Sequence, residues 1–185
     1  DLSYTNVLDI ASASELISEF LRPTVAILKH TNPCGVGCAE EGEGLREAWE
    51  KAFETDKQAP FGGVIVCNRP LTEDVARVIG EIFTDIIIAP DFDADARAIL
   101  QKKKSLRLIR VAAEYFTKAI NESVIRSAPG GLLVMDSDPK ALGLEGIEEK
   151  VKTVRPPSAE EIDAMRFSWR VCKHVKSNAI VFGSK

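Results

Sequence analysis

Short apolar runs alternate with helix-like segments along the first part of the chain. The apolar runs are rich in β-branched residues and are bounded by glycine, proline or charged residues, as expected for buried strands. Between them, apolar side chains recur every three or four residues, which is typical of amphipathic helices. The predicted strands lie at 24–28, 62–67, 86–88 and 106–111, and the predicted helices at 14–21, 44–53, 72–83 and 93–104. This order predicts an α/β fold, a three-layer α/β/α structure with a largely parallel sheet.

The later part of the chain is less regular. Residues 129–138, PGGLLVMDSD, predict a turn followed by a strand, and residues 137–157 are expected to form a polar loop. Ser158 and Glu161 have the spacing of a capping box, which predicts a final helix reaching about Lys173. The apolar run NAIVF, residues 178–182, predicts a last strand.

The sheet topology suggests where a ligand would bind. In open parallel sheets, ligands bind beyond the carboxyl ends of the strands. This rule points to the residues that follow the four predicted strands. They are Lys29–Gly37, Asn68-Arg69, Ala89–Phe92 and the residues from Arg110 onward.

Charge and cysteine content narrow the classes of protein. The net charge of −4 makes nonspecific binding to nucleic acid or to a membrane unexpected. No apolar run approaches the roughly 20 residues that span a bilayer, and the N-terminus lacks a signal-peptide pattern. The four cysteines show no disulfide framework, so a reducing cytoplasm is expected. Because the chain begins at DLSYTNVLDI and stops just after an apolar run, we expect a segment of a longer protein.

The segment LKHTNPCGVGC, residues 28–38, concentrates the reactive side chains, and zinc binding is one interpretation. Zinc deaminases combine H-x-E with P-C-x-x-C, in which the metal activates water and the glutamate moves protons. Here three residues separate Cys34 from Cys38, and Asn32 stands two positions after His30 where the glutamate is expected. A zinc-dependent deaminase relative is therefore the weaker alternative, and no metal site is expected.

Glycine loops and a reactive thiol are two further interpretations. Neither Gly35-Val36-Gly37 nor Phe61-Gly62-Gly63 completes a P-loop or a dinucleotide-binding pattern. Tight turns are sufficient to explain these glycines, although they also allow the backbone to approach a small ligand. Cys34 lies near two basic residues that could lower a thiol pKa, but cysteines near a strand end more often pack.

Lys29 and His30 form the most promising pair for catalysis. Two basic residues beyond a buried strand can act as a general acid/base unit, with the lysine tuning the histidine. The chain has two histidines, and the second repeats the order at Lys173-His174. The dipeptide alone is too common to establish a role.

Four segments together resemble a known family. KHTNPCGVG, APFGGVIVCNRP, DIIIAPDFD and VKHVKSNAIVF are similar in sequence, order and spacing to AICAR transformylase. That is the formyl-transferring domain of a bifunctional purine-biosynthesis enzyme whose other domain is IMP cyclohydrolase. The resemblance runs from Leu2 to Phe182. It implies a cytidine-deaminase-like fold that is duplicated in the whole domain. Residues 1–136 would be the first subdomain, 137–157 a linker, and 158–185 a helix and strand leading into a second half.

The resemblance also implies the roles of individual residues. The family's catalytic residues fall on Lys29, His30 and Asn178. Ligand-binding positions fall on Asn32, Phe61, Gly62, Gly63 and Asp85. Members usually carry S-A-F-G-G where this chain has Ala59-Pro60 before Phe61, so the loop is expected to shift. The family's R-Y-G-E-N-P-H-Q segment, which helps to bind the nucleotide, has no counterpart in this chain.

The implied reaction is formyl transfer from 10-formyltetrahydrofolate, a cosubstrate, to the 5-amino group of AICAR ribonucleotide, without a metal. Its partners are therefore AICAR ribonucleotide and the folate, and the family forms homodimers with active sites between subunits. A ligand-binding or assembly module that cannot turn over alone is the alternative, because parts of the family's domain are missing from this chain.

Overall fold

The computed structural model describes residues 1–117, 123–138 and 150–184. The strands are β1 (Thr24–Lys29), β2 (Asn32–Cys38), β3 (Gly63–Cys67), β4 (Thr84–Ala89), β5 (Arg107–Arg110), β6 (Ser123–Ala128) and β7 (Gly131–Asp136). The helices are α1 (Tyr4–Ile17), α2 (Leu45–Thr55), α3 (Glu73–Ile79), α4 (Ala94–Leu100), α5 (Ala113–Thr117) and α6 (Ala159–Lys173). The first five strands form one sheet, and β6 and β7 form a separate hairpin.

Helices cover both faces of the sheet, which confirms the α/β class with three layers. Alternate residues of each central strand point to opposite faces, so one apolar strand supplies two cores. In β1, Val25 and Ile27 pack with α2, α3 and α4, whereas Ala26 and Leu28 pack with α1 and with Val171 of α6. All four strand residues are fully or almost fully buried.

The sheet is mixed, which corrects the prediction of a largely parallel one. Its strand order is β2-β1-β3-β4-β5. Strand β1 is antiparallel to both β2 and β3, whereas β3, β4 and β5 are mutually parallel. Because β2 and β3 run in the same direction on either side of β1, helix α2 connects them by a crossover over β1.

Strand β2 is the element that the sequence analysis missed, because its residues, NPCGVGC, look like a turn. Pro33 is tolerated because β2 lies at the edge of the sheet. The space beside its glycines is occupied by helix α2. A Cβ on Gly35 would lie 2.1 Å from the Ala52 carbonyl oxygen, and one on Gly37 would lie 2.1 Å from that of Ala48. The glycines therefore let β2 pack closely on α2.

The direction of β1 also changes where the strand ends meet. Leu28 near the end of β1 pairs with Val64 near the start of β3, so the carboxyl end of β1 lies at the amino end of β3. The four segments selected by the carboxyl-end rule therefore do not come together. Lys29 lies at one end of the strands, and Asn68, Ala89 and Arg110 lie at the opposite end.

The later part agrees with the sequence analysis in some elements only. The turn at Pro129-Gly130 and strand β7 are present, as is the capping box: Glu161 N–H donates to Ser158 Oγ at 3.2 Å, and Ser158 N–H to Glu161 Oε2 at 2.7 Å. The predicted strand at 178–182 is wrong, because these residues have no strand partner among the described residues. Most of the predicted 137–157 loop, residues 139–149, lies outside the described residues. Over the described ranges, no helix is long and apolar enough to cross a membrane.

Candidate active site

His30 and Thr31 form the tight turn between β1 and β2. Lys29 pairs with Asn32, which leaves a loop of two residues, with φ of 52° at His30 and 65° at Thr31. Two positive φ values are the signature of a type I′ hairpin turn, which normally contains asparagine, aspartate or glycine. A β-branched threonine in this region is an outlier, and such outliers occur often at functional sites.

Lys29, the last residue of β1, links this turn to the loop before β3. Its Nζ donates hydrogen bonds to the carbonyl oxygens of Phe61, at 2.7 Å, and Gly62, at 2.9 Å. The side chain is half-buried, so the ammonium is held at the amino edge of β3 rather than extended into solvent. An ammonium has three N–H donors, and these two bonds use two of them.

Gly62 and Gly63 are both required by the local geometry. Gly62 has φ of +65°, and a Cβ there would lie 3.1 Å from Lys29 Nζ. A Cβ on Gly63 would lie 2.7 Å from the carbonyl oxygen of Leu28. The bare backbone therefore allows the 60–63 loop to lie directly against the end of β1.

Phe61 belongs to this loop, whereas Asp85 lies on the neighbouring strand β4. The Phe61 ring is 68% exposed and contacts Phe83, with the ring centroids 5.1 Å apart. Asp85 falls in an irregularity of the β3–β4 ladder, where Gly63 pairs with Thr84 and Val64 pairs with Ile86. Asp85 therefore has no ladder partner in β3.

A cavity of about 210 Å³ brings five of the predicted site residues together. They are Lys29, His30, Gly62, Gly63 and Asp85. Helix α1 supplies three further lining residues that the sequence analysis missed, Thr5, Asn6 and Asp9. The cavity thus combines a lysine, a histidine, two carboxylates and exposed backbone, which can bind a polar ligand and move protons.

Asn32 and Asn178 do not line this cavity. The Asn32 Oδ1 atom accepts the Lys176 backbone N–H at 3.2 Å, and the Lys176 side chain donates to the His30 carbonyl oxygen at 3.3 Å. The chain after α6 therefore contacts the His30-Thr31 turn. Asn178 follows two residues later, is exposed, and makes no hydrogen bond to another described residue. Its catalytic role and the ligand contact of Asn32 remain predictions.

A buried ionic cluster at the end of α6 anchors the chain that follows this helix. Glu19 Oε1 lies 2.7 Å from Lys173 Nζ and 3.4 Å from His174 Nε2. The Glu19 side chain is 1% exposed, and those of Lys173 and His174 are 15% and 13% exposed. The second lysine–histidine pair is therefore engaged in a structural contact between the end of α6 and the residues after α1.

The cysteines of the 28–38 segment pack instead of converging. Cys34 Sγ donates to the Ile27 carbonyl oxygen at 3.4 Å, and Cys38 Sγ accepts from Thr24 Oγ1 at 3.3 Å. The two cysteines are four positions apart along an extended strand, which places them roughly 13 Å from each other. Burial, followed by the nearby Asp56 carboxylate, raises the pKa of the Cys34 thiol to about 11, which disfavours a nucleophilic thiolate. Among the described ranges, no three histidine, cysteine or acidic side chains are grouped so as to hold a metal ion.

A larger open cleft of about 900 Å³ lies between β2 and the chain after α6. It is lined by β2, by apolar side chains such as Phe167 and Val181, and by charged side chains such as Glu50, Lys51 and Asp163. Neither Lys29 nor His30 lines it. We take the smaller cavity as the candidate active site because Lys29, His30 and Asp85, to which the resemblance assigns roles, lie together in it.

Comparison with known proteins gives the same family along the whole chain. The family model described as "AICARFT/IMPCHase bienzyme" matches residues 1–185. A "Bifunctional purine biosynthesis protein PurH" from Chloroflexus aurantiacus is 50% identical over 187 residues, covering 100% of this chain and 35% of the relative. A protein of the same name from Chlorobium phaeobacteroides is 47% identical, covering 98% of this chain and 34% of the relative. The chain therefore spans about a third of the length of these relatives.

Similar solved structures include a dCMP deaminase from the cyanophage S-TIM5 in apo form. It covers 57% of this chain with 11% sequence identity and a TM-score of 0.44, which carries no argument about function. The family assignment depends instead on the whole-chain family match and the two bacterial relatives. This chain belongs to the AICARFT/IMPCHase bienzyme family.

Proposed function

We propose that this chain supplies the lysine–histidine part of an active site for formyl transfer in de novo purine biosynthesis. The donor is 10-formyltetrahydrofolate and the acceptor is the 5-amino group of AICAR ribonucleotide, giving formyl-AICAR ribonucleotide on the way to IMP. One observation carries the proposal: Lys29, His30, Gly62, Gly63 and Asp85 line a single cavity in a chain of this family.

The chemistry explains why a lysine and a histidine are needed. The 5-amino group is a poor nucleophile because its lone pair is delocalised into the imidazole and the carboxamide. When its nitrogen bonds to the formyl carbon, the bond from that carbon to the folate nitrogen breaks. The amine loses a proton and the folate nitrogen gains one. A group that exchanges protons near neutral pH can assist both transfers, and we assign this role to His30.

Lys29 and Asn178 complete the proposed mechanism. The third N–H of Lys29 can donate to the formyl oxygen as negative charge develops on it, while the other two hold the Phe61 and Gly62 carbonyls. Asn178 orients the histidine or the formyl oxygen once the substrates bind. Asp85, Asn32 and the Phe61–Gly63 loop contact the ribonucleotide, and the reaction requires no metal.

The alternative is a module that binds the ribonucleotide or assembles with other parts of the protein but does not turn over alone. Two observations favour it. The chain spans only about a third of its relatives, and the β6–β7 hairpin exposes a row of large apolar side chains. Such an apolar surface is typical of an interface, and we propose that the protein forms a homodimer. We also propose that it acts in the cytoplasm. The exposed apolar residues are Val124, Ile125, Leu132, Leu133, Val134 and Met135.

Formyl transfer assays distinguish the two functions. The chain and its His30→Ala variant are compared with AICAR ribonucleotide and 10-formyltetrahydrofolate as substrates. Turnover that is lost in a folded His30→Ala variant supports a complete site. Ribonucleotide binding without turnover in either protein supports the module, and full activity in the variant would contradict the role of His30. His174→Ala is the matched control, because this histidine contacts Glu19 away from the cavity.

A further inference from the structure

The turn that presents His30 needs an external constraint. A residue other than glycine is strained in a sparsely populated backbone region, and His30 and Thr31 both adopt one. Such a conformation persists only when surrounding contacts hold it. The relevant contacts are those to the backbone of the two turn residues.

Helix α1 provides one such contact. The Thr31 backbone N–H donates to Asp9 Oδ1 at 2.7 Å, the distance of a strong charge-assisted hydrogen bond. Asp9 projects from a rigid support, because Ala13, Leu16 and Ile17 of the same helix are fully buried in the core. Asp9 also lines the same cavity as His30.

The chain after α6 provides a second, separate contact. Lys176 Nζ donates to the His30 carbonyl oxygen at 3.3 Å and to Thr31 Oγ1 at 2.5 Å. Lys176 is exposed, whereas Asp9 is half-buried. A hydrogen bond that is more protected from water and extends from a packed helix constrains the turn more than one from an exposed, flexible lysine.

We propose that Asp9 is a positioning residue for His30. Its carboxylate holds the Thr31 N–H, which fixes the left-handed turn and thereby keeps the His30 imidazole at the cavity. That this position serves formyl transfer rests on the proposed function. The constraint on the turn itself does not depend on it.

The effect on the turn can be measured directly by hydrogen exchange of the Thr31 amide in the 185-residue chain. Asp9→Ala should increase the exchange rate about tenfold or more, because the amide loses a charged acceptor. Asp9→Asn keeps an oxygen at the same place and should stay within a fewfold of the original rate. Glu15→Ala, an exposed acid on the same helix, should leave the rate unchanged.

A second substitution tests whether conformational strain is the reason why the turn depends on Asp9. Glycine adopts positive φ without a steric penalty, so Thr31→Gly should make the turn less dependent on Asp9. Asp9→Ala should then change the His30 ring chemical shifts much less in the Thr31→Gly background than in the original chain. Equal changes in both backgrounds would overturn the strain argument.

Two outcomes separate this inference from the proposed function. If Asp9→Ala leaves Thr31 exchange and the His30 ring signals unchanged, the positioning role of Asp9 is wrong, whatever the activity. If those signals respond but the chain neither binds AICAR ribonucleotide nor transfers a formyl group, the positioning role stands and the proposed function fails. Where turnover is present, Asp9→Ala should lower kcat more than it raises KM, and Asp9→Asn should restore most of kcat.

Discussion

Removing the charge of Glu19 should destabilise the chain more than any change to an exposed ion pair. The Glu19 side chain is 1% exposed and accepts from the Lys173 ammonium at 2.7 Å, with His174 also in contact. Breaking a buried pair from one side typically costs 3–5 kcal/mol, because the remaining charge is left without its partner. Lys173 retains 15% exposure and a second bond to the Asp138 carbonyl oxygen, so we expect about 3 kcal/mol for Glu19→Gln.

Urea unfolding monitored by circular dichroism measures this change, and Glu50→Gln is the matched control. Glu50 pairs with Arg46 at 2.6 Å, but the two side chains are 55% and 40% exposed. Such pairs contribute about 0.3–0.5 kcal/mol. If Glu19→Gln lowered the free energy of unfolding by no more than Glu50→Gln, the buried cluster would not be what anchors the end of α6.

Three further predictions concern packing, pH and cysteine reactivity. Gly37→Ala should lower the free energy of unfolding by about 1–3 kcal/mol, because the added Cβ would collide with α2. Gly131→Ala is the control, since its Cβ would meet nothing within 4 Å and should change the free energy of unfolding little. Thermal unfolding of the two variants compares these effects. The hydrogen bond from the Arg155 side chain, followed by that from the Ser158 backbone N–H, lowers the pKa of Glu161 to about 2. The stabilisation of α6 by the Glu161 carboxylate is therefore complete above the ordinary glutamate pKa and is lost as the pH falls through about 2. An NMR titration of Glu161 that gave an ordinary value would contradict this. Because its thiol pKa is raised to about 11, Cys34 should react with iodoacetamide at pH 8 far more slowly in the folded chain than in urea; equal rates would refute its packing role.

The sequence predicted the elements whose side chains follow a strong pattern. The β-branched run at Ile86–Ile88 and the capping box at Ser158 and Glu161 were both confirmed in the structure. Local propensity and capping are properties of neighbouring residues, so they can be inferred without knowledge of the fold.

Pairing and packing between elements explain most of what the sequence did not predict. Strand β2 has a proline and two glycines, and it forms because it pairs with β1 and packs on α2. Because β2 was not predicted, β1 was expected to run in the opposite direction. The site was therefore expected at the wrong end of the strands. Conversely, the residues of NAIVF have strand propensity, but a strand also needs a partner, and the described residues supply none.

The candidate site was predicted in part. The resemblance identified Lys29, His30 and the Phe61–Gly63 loop because they lie in recognisable motifs. Asp9 carries no such motif, and it reaches the site only because α1 packs across the sheet next to the β1–β2 turn. A contact of this kind depends on tertiary packing, which residue spacing does not show.

The proposed function requires AICAR ribonucleotide to bind at the end of the strands that carries Lys29 and His30. Titration of the ¹⁵N-labelled chain with AICAR ribonucleotide, followed by amide chemical shifts, tests this directly. We expect the largest chemical-shift changes at the end of the strands that carries Lys29, His30, Gly62, Gly63 and Asp85. Changes concentrated instead at the opposite end, at Asn68, Arg69, Asp91 and Arg110, would contradict the proposed site.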